Sequence, residues 1–401
     1  LKNKQNSIIL YGHKFYGNLK ALYESIEDDY EIYYLTLDRS NYKKLKHKGI
    51  KALFGLNIFD VLKVLKCKIL VTDHGLHYFK FLLNQNYEVY GIDNLTKYGQ
   101  VIRNHSDDKN YKFFNEDIKN KEFLKEIMSE CDYLIAGAAM IGGISYFHEF
   151  EYDLLSENEK IISTTTDVAI DCYQNFNLKR AVYLSSSMVF ESSDIFPTRE
   201  DDLYKIPPPI SSYGFQKLSV EYFARSAYSQ YGLEFSIARP FNCVGIGEVK
   251  TKTEKKLTDS SAKLALSHVV PDLILKTLEG KPKIEILGSG NQIRHYTYGE
   301  DLAKGICLLL EHENAKNEDF NLSTSQSTTV LELAEIIWNK VRPEEKFQYQ
   351  SVDSFEFDVQ KRIPSTEKAK KLLGYEATTT IEDMLDVVIP WIINAKERSL
   401  F

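Results

Sequence analysis

The 401-residue chain predicts an α/β fold. A doubly wound parallel sheet should form its centre, with a smaller C-terminal lobe and a further α/β extension at the N-terminus. Three observations support this. Short β-branched or aromatic runs alternate with longer amphipathic stretches, the pattern of βαβ units. The composition, 43% hydrophobic and 27% charged, is ordinary for a globular chain of two or three domains or one elaborated unit. After about Asn242 the alternation loosens into short strands and two closing helices, which suits a lobe over a cleft.

The expected strands are Ser7–Tyr11, Glu31–Leu37, Lys68–Thr72, Glu88–Ile92, Asp132–Ala136, Arg180–Ser185 and Glu234–Arg239. Each is a short run rich in residues that pack well on a pleated surface. Helical periodicity predicts Asn57–Lys66, Leu76–Asn84, Ile162–Asn175 and Tyr213–Tyr231 between them, with Val330–Lys340 and Ile381–Ala395 closing the chain. Asn104–Asn110 reads as a polar loop. Glu248–Ser261, rich in Lys, Thr, Glu and Asp, reads as a mobile surface insertion.

The net charge of −7 argues against a broad nucleic-acid footprint. Five scattered cysteines without a CxxC, and nine histidines without an HExxH, argue against a disulfide framework and a metal site. No run reaches membrane-spanning length and no signal peptide opens the chain, so cytoplasm is the default expectation.

The most telling short pattern is Tyr213-Gly-Phe-Gln-Lys217, preceded by Ser185-Ser186-Ser187 at the end of an apolar run. A phenol and an ammonium four residues apart lie on one helix face. A fixed positive charge favours a phenolate, and a serine hydroxyl from another element can share the same substrate oxygen. Such a set can move a proton on a sugar or alcohol hydroxyl. A lone YxxxK means little. Here it follows a strand that ends in hydroxyls, at the edge where ligands bind in open α/β sheets.

From about Lys80 to Phe401 the chain resembles the extended short-chain dehydrogenase/reductase superfamily, in its nucleotide-sugar epimerase/dehydratase branch. The matches run in order: Tyr90-Gly-Ile-Asp-Asn-Leu95, Asn115-Glu-Asp-Ile118, Ile135-Ala-Gly-Ala138, Ser185-Ser186 with Val189-Phe190, Tyr213 with Lys217, Arg239-Pro-Phe-Asn242, His268-Val-Val-Pro271, Gly288-Ser-Gly-Asn-Gln-Ile-Arg294 and Asp301-Leu-Ala303. The resemblance implies a Rossmann-type sheet and NAD as cofactor. It makes Tyr213 the base, Lys217 its partner and nicotinamide-ribose contact, and Ser186 the catalytic hydroxyl. It puts Asp93, with Asn94, at the adenosine ribose, and Asp117 and Ile118 at the adenine. Ala136, Gly137 and Ala138 would let the backbone pass close to the cofactor, with Pro240 on the nicotinamide side. The implied substrate is a nucleotide-diphosphate sugar, gripped by Ser187, Asn242, Val270, Arg294, Asp358 and Arg362. Arginine suits the phosphates because its fork donates two parallel hydrogen bonds. The family often pairs through two helices per subunit, here Ile162–Asn175 and Tyr213–Tyr231, which implies a homodimer. Surface-polysaccharide synthesis is the implied setting.

In the family's 4,6-dehydratases an Asp-Glu pair follows the catalytic hydroxyl. Decarboxylases usually keep the Glu, and 3,5-epimerases and fucose-type epimerase-reductases carry a Cys in its place. Here those positions are Ser187 and Met188, and methionine can do none of this chemistry. Reversible oxidation at one carbon remains, so a 4-epimerase is expected. With net turnover the same residues serve a dehydrogenase or reductase.

The family's glycine-rich phosphate loop is missing. After Lys68–Thr72 come Asp73, His74 and a single Gly75, then bulky His77, Tyr78 and Phe79. A relative with impaired cofactor binding, or none, is therefore an alternative. Residues 1–79 instead resemble the N-terminal part of CDP-glycerol glycerophosphotransferases, through Ile8-Ile-Leu-Tyr-Gly-His-Lys-Phe-Tyr-Gly-Asn-Leu19, Tyr33-Tyr-Leu-Thr-Leu-Asp38 and Ile69-Leu-Val-Thr-Asp-His-Gly75. The expected domains are 1–79, then 68–245 sharing strand 68–72, then a mainly sugar-nucleotide lobe at 246–401. Recombination, gene fusion or an artificial chimera could each produce the join.

Overall fold

A computed structural model describes residues 7–11, 31–36, 52–54, 68–71, 87–96, 105–141, 150–247, 268–353 and 359–398. The chain divides into two compact units, Leu1–Cys67 with Asn86–Glu88, and Lys68–Gln85 with Val89–Phe401. In the first unit β1 (Ser7–Tyr11), β2 (Glu31–Thr36) and β3 (Ala52–Phe54) form a parallel sheet in that order. The expected helices Asn57–Lys66 and Leu76–Asn84, the insertion Glu248–Ser261 and the Asp73–Phe79 turn lie outside the described residues.

The second unit is built on β4 (Lys68–Val71), β5 (Glu88–Ile92), β6 (Tyr111–Phe114), β7 (Tyr133–Ala136), β8 (Arg180–Leu184) and β9 (Phe235–Pro240). Helices α1 (Lys121–Met128), α2 (Glu151–Asn175) and α3 (Ser212–Tyr231) connect them. Ser211 caps α3 by accepting from the Gly214 N–H, and Gly232 ends it in the left-handed region at φ 78°, where a side chain would be strained. The predicted α2 start at Ile162 was too late. The largely polar stretch Glu151 to Lys160 extends its N-terminal half, with Leu154 and Asn158 buried.

Beyond β9 lie β10 (Cys243–Val244), α4 (Val269–Leu278), β11 (Ile284–Leu287), β12 (Ile293–Arg294), β13 (Thr297–Tyr298) and α5 (Gly299–Glu311). They are followed by β14 (Glu318–Leu322), β15 (Thr328–Thr329), α6 (Val330–Val341), β16 (Tyr349–Val352), α7 (Glu367–Leu373) and α8 (Ile381–Glu397). The central sheet runs β14-β9-β8-β7-β4-β5-β6. The pairs β14/β9, β9/β8, β8/β7, β7/β4 and β5/β6 are parallel. One apolar cluster, including Leu134, Tyr183, Ala224 and Ile237, lies between the sheet and α1 to α3. A second, with Leu273, Ile286, Leu333, Trp338 and Leu385, forms the core of the C-terminal lobe. Among the described residues no helix is long and apolar enough to cross a membrane.

Candidate functional site

After Arg180 the sequence of β8 is apolar through Leu184 and then changes abruptly to three serines. The strand ends there, and a short 3-10 turn follows over Ser187–Phe190. Ser186 caps the turn, its Oγ accepting from the Met188 N–H at 3.2 Å. Tyr213 lies in the first turn of α3. One turn on, Lys217 is buried and its Nζ donates to the carbonyl of Leu184, the last residue of β8, at 2.9 Å. Ser186, Tyr213 and Lys217 are thus all placed at the carboxyl end of one strand. Ser187 is buried within the turn.

The described cofactor-side candidates also sit at strand ends. Asp93 follows β5, half-buried, and its Oδ1 accepts from the Leu95 N–H at 2.6 Å. Asn94 is exposed and makes a similar turn with the Thr96 N–H. Asp117 accepts from the Lys119 N–H at 2.9 Å, and Ile118 packs into the first apolar cluster. Ala136 closes β7, with Gly137 and Ala138 directly after it. The loop is held by Asn158 of α2, whose side chain donates to the Met140 carbonyl and accepts from the Met140 N–H. Pro240 ends β9.

On the lobe side, Asn242 takes a positive φ of 40°, and Arg362 Nη1 donates to its Oδ1 at 3.5 Å. Arg294 is buried and donates to the Ile293 carbonyl, while the Arg362 N–H donates to that same carbonyl. Asn242, Arg294 and Arg362 therefore converge. Val270 does not offer its side chain to a ligand: it is fully buried in the lobe core, where an apolar branched residue packs best. Asp358 lies outside the described residues.

Beneath the serine turn lies a charged network that the local patterns did not reveal. Ser185 Oγ donates to Glu221 Oε1 at 2.6 Å. Arg239 of β9 is wholly buried and grips Glu221 in a bidentate pair, at 2.7 and 2.6 Å. It also meets Asp319 of β14 at 2.5 Å, and its guanidinium lies 5.1 Å from the Phe190 ring centroid. Lys368 and Arg225 complete the charge around Asp319. Burial works against the charge on Arg239, but Glu221 and then Asp319 outweigh it and hold the guanidinium above its ordinary range. Burial likewise pushes Asp319 up, but Arg239, Lys368 and Arg225 pull it well below the usual carboxylate range. The available signal was an arginine inside an otherwise apolar strand, which needs a buried partner. His295, beside Arg294, was also missed. It is buried, with Nδ1 2.9 Å from the Thr324 carbonyl, and burial drives its pKa down against that hydrogen bond.

The model of the NAD dependent epimerase/dehydratase family matches residues 74–323, more than half of the chain. UDP-glucuronate 4-epimerase of Thermodesulfobacterium geofontis is 26% identical over 326 residues, 78% of this chain and 90% of that protein. UDP-glucuronic acid decarboxylase 1 of Danio rerio is 28% identical over 221 residues, 55% of this chain and 48% of that protein. Among solved structures, UDP-glucose 4-epimerase of Thermotoga maritima, with UDP-glucose, matches with a TM-score of 0.68 at 25% identity. That match covers 82% of this chain and 99% of the other. Relatives with different reactions match at similar identity, so the likeness fixes fold and family rather than reaction. With a Rossmann-type sheet and a family match across more than half its length, the chain belongs to the NAD dependent epimerase/dehydratase family.

Proposed function

We propose that the chain is an NAD-dependent 4-epimerase of a nucleotide-diphosphate sugar. The carrying observation is the placement of Ser186, Tyr213 and Lys217 at the end of β8, with Met188 where elimination would need an acid or base. Tyr213 takes the proton of the sugar hydroxyl, and Ser186 donates a hydrogen bond to the same oxygen. Lys217 is fixed by the Leu184 carbonyl one turn behind the phenol. The keto sugar would turn over in the cleft, and with hydride returned to the opposite face of its carbon, Tyr213 would give the proton back to the oxygen. NAD, when bound, supplies the reversible two-electron acceptor. The residues present fit it: a half-buried carboxylate ends β5, small residues follow β7, and an ammonium stands at β8. Asn242, Arg294 and Arg362 would hold the diphosphate. A homodimer would pair through α2 and α3, which leave Tyr152, Phe215 and Tyr222 exposed; sedimentation velocity reads it.

The experiment is interconversion of C4-epimeric UDP-sugars by the full chain, with NAD⁺ binding followed by calorimetry. Tyr213→Phe should lower kcat by about 10²- to 10⁴-fold while NAD⁺ still binds. Full turnover in that variant rejects the mechanism. Absence of NAD⁺ binding by the unmodified chain favours the cofactor-impaired alternative, which Asp73-His-Gly75 in place of the family's three glycines motivates.

A further inference from the structure

Ser186 and Tyr213 come from different elements, so something must set the gap between them. Glu191 stands at the end of the turn that Ser186 begins, and its N–H donates to the Met188 carbonyl at 3.2 Å. Its side chain reaches across to the start of α3. Oε1 accepts from the Ile210 N–H and, at 2.5 Å, from the Ser211 N–H. Oε2 accepts from the Ser211 hydroxyl at 2.5 Å. That hydroxyl in turn accepts from the Gly214 N–H at 3.0 Å, next to Tyr213.

The contact is tightly packed as well as hydrogen-bonded. A Cβ on Gly214 would lie 2.8 Å from Glu191 Oε2, 2.8 Å from the Met188 carbonyl oxygen and 2.7 Å from Pro209 Cβ. Only glycine lets the first turn of α3 press this closely on the serine turn. Helix N-termini favour negative charge, and hydrogen bonds to a carboxylate are short and directional. Val189 and Phe190 are buried against Phe241, so the turn is also backed by packing. Three donors from the start of α3 occupy its two oxygens.

We propose that Glu191 is a positioning residue: its carboxylate stitches the Ser186 turn to the Tyr213 helix and sets their separation. This rests on the assignment of Ser186 and Tyr213 above. A misplacement of about 1 Å at reacting groups can cost about a hundredfold in rate.

The test compares Glu191→Ala, Glu191→Gln and Tyr213→Phe in the full chain, with UDP-glucose and UDP-glucuronate as substrates. Glu191→Ala should lower kcat about tenfold to a hundredfold with KM within about twofold. Glu191→Gln, which keeps one acceptor oxygen and the volume, should recover part of that loss. Amide hydrogen exchange should accelerate at 211 to 215 in Glu191→Ala and stay slow in β8 and α2. An unchanged kcat in Glu191→Ala beside an inactive Tyr213→Phe overturns the role of Glu191 alone. An active Tyr213→Phe overturns the site assignment instead. Unchanged exchange at 211 to 215, or a uniform loss of protection with kcat and KM falling together, also overturns the stitch, whatever the turnover of the parent chain.

Discussion

The β8 end of the sheet and the core of the C-terminal lobe are both buried, yet they are held by opposite means. Under the serine turn, Arg239, Glu221 and Asp319 make directional ionic contacts at 2.5 to 2.7 Å. In the lobe, Leu333, Ile337, Trp338 and Leu385 pack with no charge among them. Ionic contacts fix angle and distance but leave a heavy penalty if one partner is lost. Apolar packing is less directional, and its cost on truncation scales with the cavity left. Position is therefore controlled most tightly where two candidate catalytic groups must meet.

Substitutions can break this contrast. Arg239→Met should be the most damaging, at about 4 kcal/mol in denaturant unfolding, because Glu221 stays buried without its bidentate partner and Asp319 keeps only Lys368 and Arg225. It should also lower kcat, since Phe190 and the serine turn lose their support. Leu333→Ala should cost about 3 kcal/mol through its cavity while leaving kcat near the parent value below the melting temperature. Equal kcat losses in the two variants would erase the distinction.

Acid is a gentler probe of the ionic side. The folded-state pKa of Asp319 is depressed, so its contribution to stability is complete above the unfolded value of about 3.9 and is lost as pH falls through the folded one. The denaturant midpoint should drop as the solution is acidified below about pH 4. In Asp319→Asn, already less stable, that slope should be shallower. An unchanged slope would show that the network carries no such linkage.

Local patterning revealed the frame well. Ser7–Tyr11 and Glu88–Ile92 match their expected limits, and α3 begins one residue before Tyr213. These segments have strong period or composition signals of their own. Tyr111–Phe114 escaped notice because it is an edge strand: Lys112 and Phe113 are exposed, so no apolar alternation marks it. The helices Val269–Leu278 and Gly299–Glu311 were not among the expected elements, although each buries one face at helical spacing. Within the site, YxxxK and the serine run were visible because their spacing is local. Glu191 meets Ile210 and Ser211, and Arg239 meets Asp319 some 80 residues away (319 − 239), so neither pairing leaves a trace in any short window.

One feature of the sheet bears on how the protein is made. The edge strand β14 arrives some eighty residues after its neighbour β9 and brings Asp319 with it. On the ribosome, a chain that has emerged only through β9 exposes an unpaired strand edge, and Arg239 lacks one of its two carboxylates. The central sheet is not complete until β14 has been made. Its last strand, with Asp319, follows much of the lobe in synthesis, so the sheet edge and the charged network close only late in the chain.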